Sequence, residues 1–363
     1  MRSSLKLLLI LWTGLLIAAC QPIGENSAAE PVAVPSGEER VQTGLKAHFI
    51  DAGQADAAYF EFDEYSVLID AGNWNNSAVV DYLNGLGVTA IDIVIGTHPD
   101  ADHIGQMDQV IEEFEVGEVW MSGNASSSNT FLRVMEAIDV AGVDYYEPRS
   151  GEQFDVGSLQ IDVLYPQEVT GKANEESISL KLIYDEVRFV FTGDAGVSGE
   201  QEMIDSGINL QADILQLGHH GSNTSTSTAF LKAVSPEVAV YSAGADNSYG
   251  HPHAEVIAAT ENEGAEVFGT DVNGTIIIET DGVVYEVKTE KDGVPKEGVN
   301  RCIDINIASS AELQEIRGIG PAYAEAILNQ RPFETLDDLT NINGIGEATL
   351  DNIKEQGLAC IGG

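Results

Sequence analysis

Thr97-His98-Pro99-Asp100-Ala101-Asp102-His103 follows directly on the apolar run Ile91 to Gly96. Two imidazoles and two carboxylates fall within 98–103, at the end of what reads as a buried strand. A loop leaving such a strand can turn these side chains onto one point, whereas a solvated turn has no use for that set. The histidines elsewhere strengthen this reading. The seven in the chain stand at 48, 98, 103, 219, 220, 251 and 253, and all but His48 lie in three tight groups. His219-His220-Gly221-Ser222 follows a second apolar run, Ile214 to Leu217, and Asp194 of Thr192-Gly193-Asp194 follows a third, Phe189 to Phe191. Separate strands thus deliver ligands to one edge of a sheet.

Outward from these loops the pattern is short apolar runs broken by Gly and Asp. Ala47 to Asp51, Ala57 to Glu61 and Ser66 to Asp70 read as strands, Ser77 to Gly85 as a helix, and Ile91 to Gly96 as a further strand. The rhythm continues through Leu159 to Leu164, Ser179 to Tyr184, Val187 to Thr192, Val238 to Ser242, Glu266 to Gly269, Thr275 to Glu279 and Val283 to Val287. Strands with interspersed helices predict an α/β layered domain over 44–288. A polar connector follows over 289–299, with Gly293 and Pro295. From 300 to 363 the period becomes helical, at Ala311 to Glu315, Pro321 to Gln330, Leu336 to Leu339 and Glu347 to Gln356. Gly-Ile-Gly recurs at 318–320 and 344–346, so this is a small all-α domain with an internal repeat.

The N-terminus is a targeting segment. Arg2 and Lys6 precede the apolar stretch Leu7 to Ile17, and Ala18-Ala19-Cys20 follows. Small residues directly before a cysteine resemble the lipobox of bacterial lipoproteins. That resemblance implies a signal peptide over 1–19, acylation of Cys20, a flexible stalk over 20–43, and an exported protein anchored to the outer face of the bacterial cell membrane. An oxidising compartment permits disulfides, and the two other cysteines, Cys302 and Cys360, bracket the last segment. A bridge between them would add about 4 kcal/mol in the chain-entropy model.

Of the 363 residues, 59 are acidic and 17 basic, a formal net charge of −42. Such a surface repels polyanions, and a salty or alkaline habitat that screens it would account for the composition.

Thr-His-Pro-Asp-Ala-Asp-His, Thr-Gly-Asp and His-His-Gly-Ser, in that order, resemble the metallo-β-lactamase superfamily, and within it the extracellular nuclease-like domain of ComEC competence proteins. The likeness takes in His48 to Asp56, Leu68 to Gly72 and Asn247 to Pro252. It implies an αββα sandwich and a hydrolase using two divalent ions, manganese, magnesium or zinc. Carried over position by position, His98, Asp100 and Asp194 would hold one ion. Asp102, His103, Asp194 and one of His219 or His220 would hold the other, with Asp194 bridging. His219 is taken as the ligand and His220 left to the substrate or the surroundings of the ions. His220, Ser222 and His251 are candidates for proton transfer or phosphate contact. Asp51 and Asp70 are expected to orient loops, and His48 to be a sheet residue. The sequence departs from the superfamily pattern in two places: Asp100 stands where a histidine is usual, and no histidine lies between 103 and 194. Asn174 or Ser177 stands near the place of the missing one.

Ile303 to Ala308, Leu313 to Pro321, Arg331-Pro332-Phe333 and Ile342 to Gly346 resemble the tandem helix-hairpin-helix domain of ComEA DNA receptors. The resemblance implies sequence-independent DNA holding, with Gly318, Ile319, Gly320, Gly344, Ile345 and Gly346 presenting backbone N–H groups to phosphates. Against this, residues 300–363 carry four basic and ten acidic side chains. The expected protein is a surface-anchored, metal-dependent phosphodiesterase acting on DNA, without a nucleotide cofactor. The alternatives are a metallo-hydrolase of another phosphorylated substrate such as a wall polymer, and a non-catalytic DNA receptor.

Overall fold

The computed structural model describes residues 44–295 and 303–361, apart from 315, 334, 357 and 358. Two sheets carry the larger domain. In the first, strands run edge to edge as Tyr285–Thr289, Ile276–Thr280, Leu45–Phe49, Ala58–Phe62, Tyr65–Ile69, Ala90–Gly96, Glu115–Met121 and Asp144–Tyr146. In the second the order is Glu266–Gly269, Val238–Tyr241, Ile214–Gln216, Val187–Phe191, Ser179–Tyr184, Leu159–Tyr165 and Gln153–Val156. The inner faces meet through rings: Phe49 stacks on Phe191 at 5.8 Å and Phe60 meets Phe189 edge-on at 5.4 Å. Each fully buried side chain of this size contributes about 1.5–3 kcal/mol.

Helices cover both outer faces. Ala78–Leu86, Met107–Glu113 and Asn129–Ala141 bury Val79, Leu83, Val110 and Val134 against the first sheet. Val197–Asp205, Thr228–Val234 and Ala254–Asn262 bury Met203, Phe230 and Val256 against the second. The domain is thus an αββα sandwich, as expected.

Half of each sheet is parallel, with Val67 beside Ile93 and Ile95 beside Trp120 in one, and Phe189 beside Ile214 and Leu215 beside Ala239 in the other. Parallel neighbours end at the same edge, so the loops after Ile69, Gly96, Phe191, Gln216 and Tyr241 emerge together. The backbone N–H of Ile178 donates to the carbonyl of Thr97 at 2.9 Å, tying one sheet's edge to the other's.

Three expectations are corrected. The last strand is Tyr285–Thr289 rather than Val283 to Val287, because Asp281 Oδ1 accepts the N–H groups of Val283 and Val284 and holds them in a turn. The connector does not begin free at 289. Thr289 ends a strand, Lys291 donates to the Asn273 carbonyl at 2.8 Å, and Asn273 Nδ2 donates to the Gly293 carbonyl at 2.8 Å. The C-terminal module is not purely helical, since Ile303–Asp304 pairs in parallel with Ala359–Cys360.

That module packs Ser310–Leu313, Pro321–Gln330, the 3-10 turn Leu336–Asn341 and Glu347–Gln356 around Ile305, Ile316, Ile327, Leu339 and Ile353. Cys360 is disulfide-bonded. Cys302, Cys20, the expected signal peptide and the stalk lie outside the described residues.

Candidate metal centre

Four imidazoles and three carboxylates converge at the shared sheet edge. His98 Nε2 lies 3.6 Å from Asp194 Oδ2 and 3.8 Å from Asp100 Oδ2. His219 Nε2 lies 3.3 Å from the same Asp194 oxygen. On the other side, His103 Nε2 is 3.2 Å from Asp194 Oδ1, and His220 Nε2 is 3.4 Å from Asp102 Oδ2. Two ligands on one tetrahedral ion sit about 3.3 Å apart, so this spacing fits metal binding.

Each ring nitrogen facing away from the cluster has a polar partner. His103 Nδ1 meets Asp70 Oδ2 at 2.8 Å, His220 Nδ1 the Ser242 carbonyl at 3.0 Å, His219 Nδ1 Thr224 Oγ1 at 3.0 Å, and His98 Nδ1 Thr97 Oγ1 at 3.2 Å. A donor on Nδ1 leaves the Nε2 lone pair for a metal. Among the described residues the buried atoms His98 Nε2, His103 Nε2, His220 Nε2 and Asp194 Oδ1 have no hydrogen-bond partner, as befits groups that a cation satisfies.

Asp56, buried at 2% exposure, is the residue that sequence reasoning passed over. It stands 3.8 Å from His103 Nδ1 and 3.6 Å from His220 Nδ1. Although Asp56, His103 and His220 could themselves enclose an ion, both Nδ1 atoms are already engaged, so Asp56 braces the two rings from behind. Its place in the run His48 to Asp56 was visible, but nothing local said which way it points.

The left-handed backbone explains why adjacent histidines can both contribute. His219, His220 and Gly221 have φ of 51°, 58° and 78°. Side chains disfavour this region, and it occurs where surrounding structure holds it. Gly218 and Gly221 leave room at the turn, for a Cβ would stand 2.7 Å from Thr192 Oγ1 and 2.8 Å from Pro252 Cβ respectively.

Burial opposes charge throughout, yet the cluster holds both signs. Despite burial, His103 and His98 keep Asp194 well below the usual carboxylate range, and His220 and His103 do the same for Asp102. Burial likewise opposes the cations, but Asp194 and Asp70 raise His103 well above its ordinary value, and Asp56 and Asp102 raise His220 to about 10. Burial and the neighbouring His103 hold His98 down at about 3. Burial also pushes up Asp100, with Asp102 adding to the effect. A divalent ion would take the place of the protons that compensate these carboxylates.

With this geometry in view, residues 50–245 match the model of the Metallo-beta-lactamase superfamily, and residues 299–356 that of the helix-hairpin-helix motif. The chain belongs to the metallo-β-lactamase superfamily. It is 30% identical over 247 residues to ComE operon protein 3 of Bacillus subtilis, covering 62% of this chain and 32% of that protein. It is 43% identical over 61 residues to ComE operon protein 1 of the same organism, covering 16% and 30%, and 44% identical over 82 residues to a protein named Deoxyribonuclease from Thioalkalivibrio sp., covering 22% and 23%. The chain spans about a third or less of the length of these relatives. Its larger domain has the metallo-β-lactamase fold, with side chains that could hold a metal ion at the shared sheet edge.

Within this metallo-β-lactamase domain the other residues named from the sequence stand around the cluster as follows. Asn174 Nδ2 donates to Asp194 Oδ2 at 3.3 Å, and Ser177 Oγ accepts the Asp194 N–H at 3.1 Å. Glu176, between them, gathers the N–H groups of Thr170, Gly171 and Lys172 and so shapes the loop. Asp70 orients Thr97 and His103, and Asp51 accepts from Gly53 N–H. His48 is a buried strand residue against Tyr82 Oη. His251 is buried 5.6 Å from the His219 ring and 6.0 Å from that of His220, and burial with His220 nearby lowers it to about 4. Ser222 stands behind the cluster, its hydroxyl 3.0 Å from Thr224 Oγ1, so it supports His219 through Thr224.

In the helix-hairpin-helix module the two repeats superpose in their bonding. Ile319 N–H donates to the Ile316 carbonyl at 2.9 Å and Ile345 N–H to the Ile342 carbonyl at 3.0 Å. Both isoleucines are buried, so they plug the core, and neither offers its N–H to a phosphate. Gly320 and Gly346 have open space where a Cβ would stand, whereas Gly318 and Gly344 take φ of 84° and 102° to form the turn. The described cations of the module are engaged: Arg331 with the carbonyls of Ile305 and Ala308 within the module, Lys354 with Asp337 on its surface, and Arg317 with the Asn223 carbonyl of the hydrolase domain. Asn223 belongs to the loop that carries His219 and His220. Beside this contact lies a cavity of about 260 Å³, lined in part by Asn223, Glu255, Arg317 and Lys354.

Proposed function

We propose that this protein is a metal-dependent phosphodiesterase that cleaves DNA. The observation that carries the reading is the set of four imidazole Nε2 atoms, each held from behind at Nδ1, facing Asp100, Asp102 and the two oxygens of Asp194. In this reading His98, Asp100, Asp194 and His219 hold one divalent ion, and Asp102, His103, Asp194 and His220 the other. Both adjacent histidines are thus ligands, and His219 supplies the imidazole missing between 103 and 194. A pair of such ions supplies an activated water and neutralises phosphate oxygens. The oxygen-rich donor set suits manganese or magnesium as well as zinc. His251, whose ring stands beside those of His219 and His220, is in this reading the candidate for proton transfer or phosphate contact.

DNA as substrate is supported by the helix-hairpin-helix match, by the competence-operon relatives, and by the relative whose name is Deoxyribonuclease. The open helix ends at Gly320 and Gly346 would meet backbone phosphates without reading bases. Because Arg317 ties this module to the loop of the metal histidines, DNA held there would lie near the ions. The N-terminal motif supports export and a lipid anchor at Cys20, which would keep the activity at the cell surface.

Purified mature protein should hydrolyse both plasmid DNA and bis-p-nitrophenyl phosphate in manganese, magnesium or zinc, and EDTA should stop both. Metal-loaded protein that cleaves neither would overturn the reading.

A further inference from the structure

Tyr249 is 67% exposed, yet its ring is not loose. It lies over His251 with centroids 5.7 Å apart and planes 22° from parallel. Asn247 builds the loop that presents it: Oδ1 accepts the N–H groups of Tyr249 and His251 at 3.1 and 3.0 Å, and Nδ2 donates to the carbonyls of Gly244 and His251 at 2.8 and 2.6 Å. His251 is further held by Gln54 Nε2 at 3.4 Å, and its ring is 5.6 Å from that of His219. One aromatic face therefore lies against His251, itself beside the His219 ring, and the tyrosine remains largely exposed.

A chain with net charge −42 gains little from long-range attraction to a polyanion. Among the described residues the side chains at the metal centre are carboxylates, imidazoles, hydroxyls and amides, and Arg317 nearby is engaged with the Asn223 carbonyl. Several cations of the domain pair with carboxylates: Lys46 with Glu61, Arg133 with Asp108, Lys288 with Glu279 and Lys291 with Asp51. Affinity for a strand must then come from contacts that charge does not oppose. Base stacking on an aromatic ring is such a contact, and every base has a face to offer.

We propose that Tyr249 is a nucleobase platform, which takes an unstacked base of a single strand next to the phosphate at the metal centre. The proposal rests on the phosphodiesterase reading and names its substrate class as single-stranded nucleic acid, because a base within a duplex already has both faces covered.

The test uses the full-length protein with manganese, a twelve-residue oligothymidylate, an abasic strand of the same length and charge, and a duplex of the same length. Wild-type protein should have a lower KM for the oligothymidylate than for the abasic strand or the duplex. Tyr249→Ala should raise the oligothymidylate KM about tenfold or more, with little change in kcat and little change on the abasic strand. Tyr249→Phe, which keeps the ring, should restore the wild-type preference. Equal KM values for wild type and Tyr249→Ala, a parallel loss on the abasic strand, or a wild-type preference for the duplex would each overturn the platform. Fluorescence anisotropy of the labelled strands in EDTA separates the two readings. Protein that cleaves no diester but still binds oligothymidylate over the abasic strand through Tyr249 would overturn the phosphodiesterase and leave the platform standing.

Discussion

His220 Nε2 lies 3.4 Å from Asp102 Oδ2, while Nδ1 of the same ring lies 3.0 Å from the Ser242 carbonyl. A backbone carbonyl can only accept a hydrogen bond, so the ring keeps its hydrogen on Nδ1, and a cation that displaces the second proton would find a lone pair at Nε2 beside Asp102. His219→Ala and His220→Ala should therefore each reduce bound metal, measured by mass spectrometry, and each lower diester hydrolysis by about a hundredfold or more. Asp194→Ala should lose both ions and, like Asp102→Ala, abolish hydrolysis with the far-UV circular dichroism unchanged. Full activity in any of these variants rules out the two-ion assignment.

Asp70 tests the bracing of the ligands rather than the ligands themselves. Its Oδ2 meets His103 Nδ1 at 2.8 Å and its Oδ1 takes the Thr97 N–H at 2.8 Å. Asp70→Asn removes the charge and one acceptor, so metal affinity should fall about 10- to 100-fold in a chelator competition. An unchanged affinity would mean that Thr97 and Asp56 suffice to hold the ring.

Glu176 predicts a pH signature. Burial opposes its charge, but the Thr170 hydroxyl and N–H, Asn124 and the Lys172 N–H hold its carboxyl down at about 2. A depressed folded-state value means that the stabilisation is fully present above the ordinary value of 4.5 and is lost as pH falls towards about 2. Urea melts of wild type and Glu176→Gln should therefore differ by a constant amount above about pH 5 and converge between about pH 4.5 and 2. A difference independent of pH would assign the effect to packing.

Division of labour is tested by deleting 300–363. Small diesters should be cleaved as before, because the hydrolase has its own cores and the chain is pinned to it as far as Gly293. Long DNA should be cleaved less efficiently, chiefly through weaker binding. The salt slope of binding should be shallow, since salt weakens phosphate contacts but also screens the repulsion of an acidic surface. Equal DNA cleavage with and without the module at every salt concentration would give it another role.

The anchor is tested at Cys20. Cys20→Ala should release the protein from the membrane fraction or block its processing, as read by fractionation and intact mass. Wild-type protein without lipid and wholly in the soluble fraction would refute the anchor.

Much of this was legible from local pattern. The α/β layering followed from short apolar runs with interspersed helical windows, the αββα sandwich from the family resemblance, and the ligand loops from histidines and aspartates placed directly after such runs, as at Ile91 to Gly96 and His98 to His103. Chain order could also identify the paired Gly-Ile-Gly hairpins. What it could not supply was direction. The family motif carried over calls for one of His219 and His220, and nothing in chain order says whether both rings can point to the same side. The left-handed conformation of both residues, with the His219 N–H bonded to the Gly193 carbonyl and His220 Nδ1 to that of Ser242, turns both rings inward. Asp56 was hidden for the same reason, because its orientation depends on the packing of a loop against His103 and His220 from distant strands. The engagement of Arg331 by the carbonyls of Ile305 and Ala308, and of Arg317 by that of Asn223, is likewise a property of the packed chain. Composition and periodicity express how a segment buries itself, whereas the direction of a side chain is settled by neighbours that the chain brings together from far along its length.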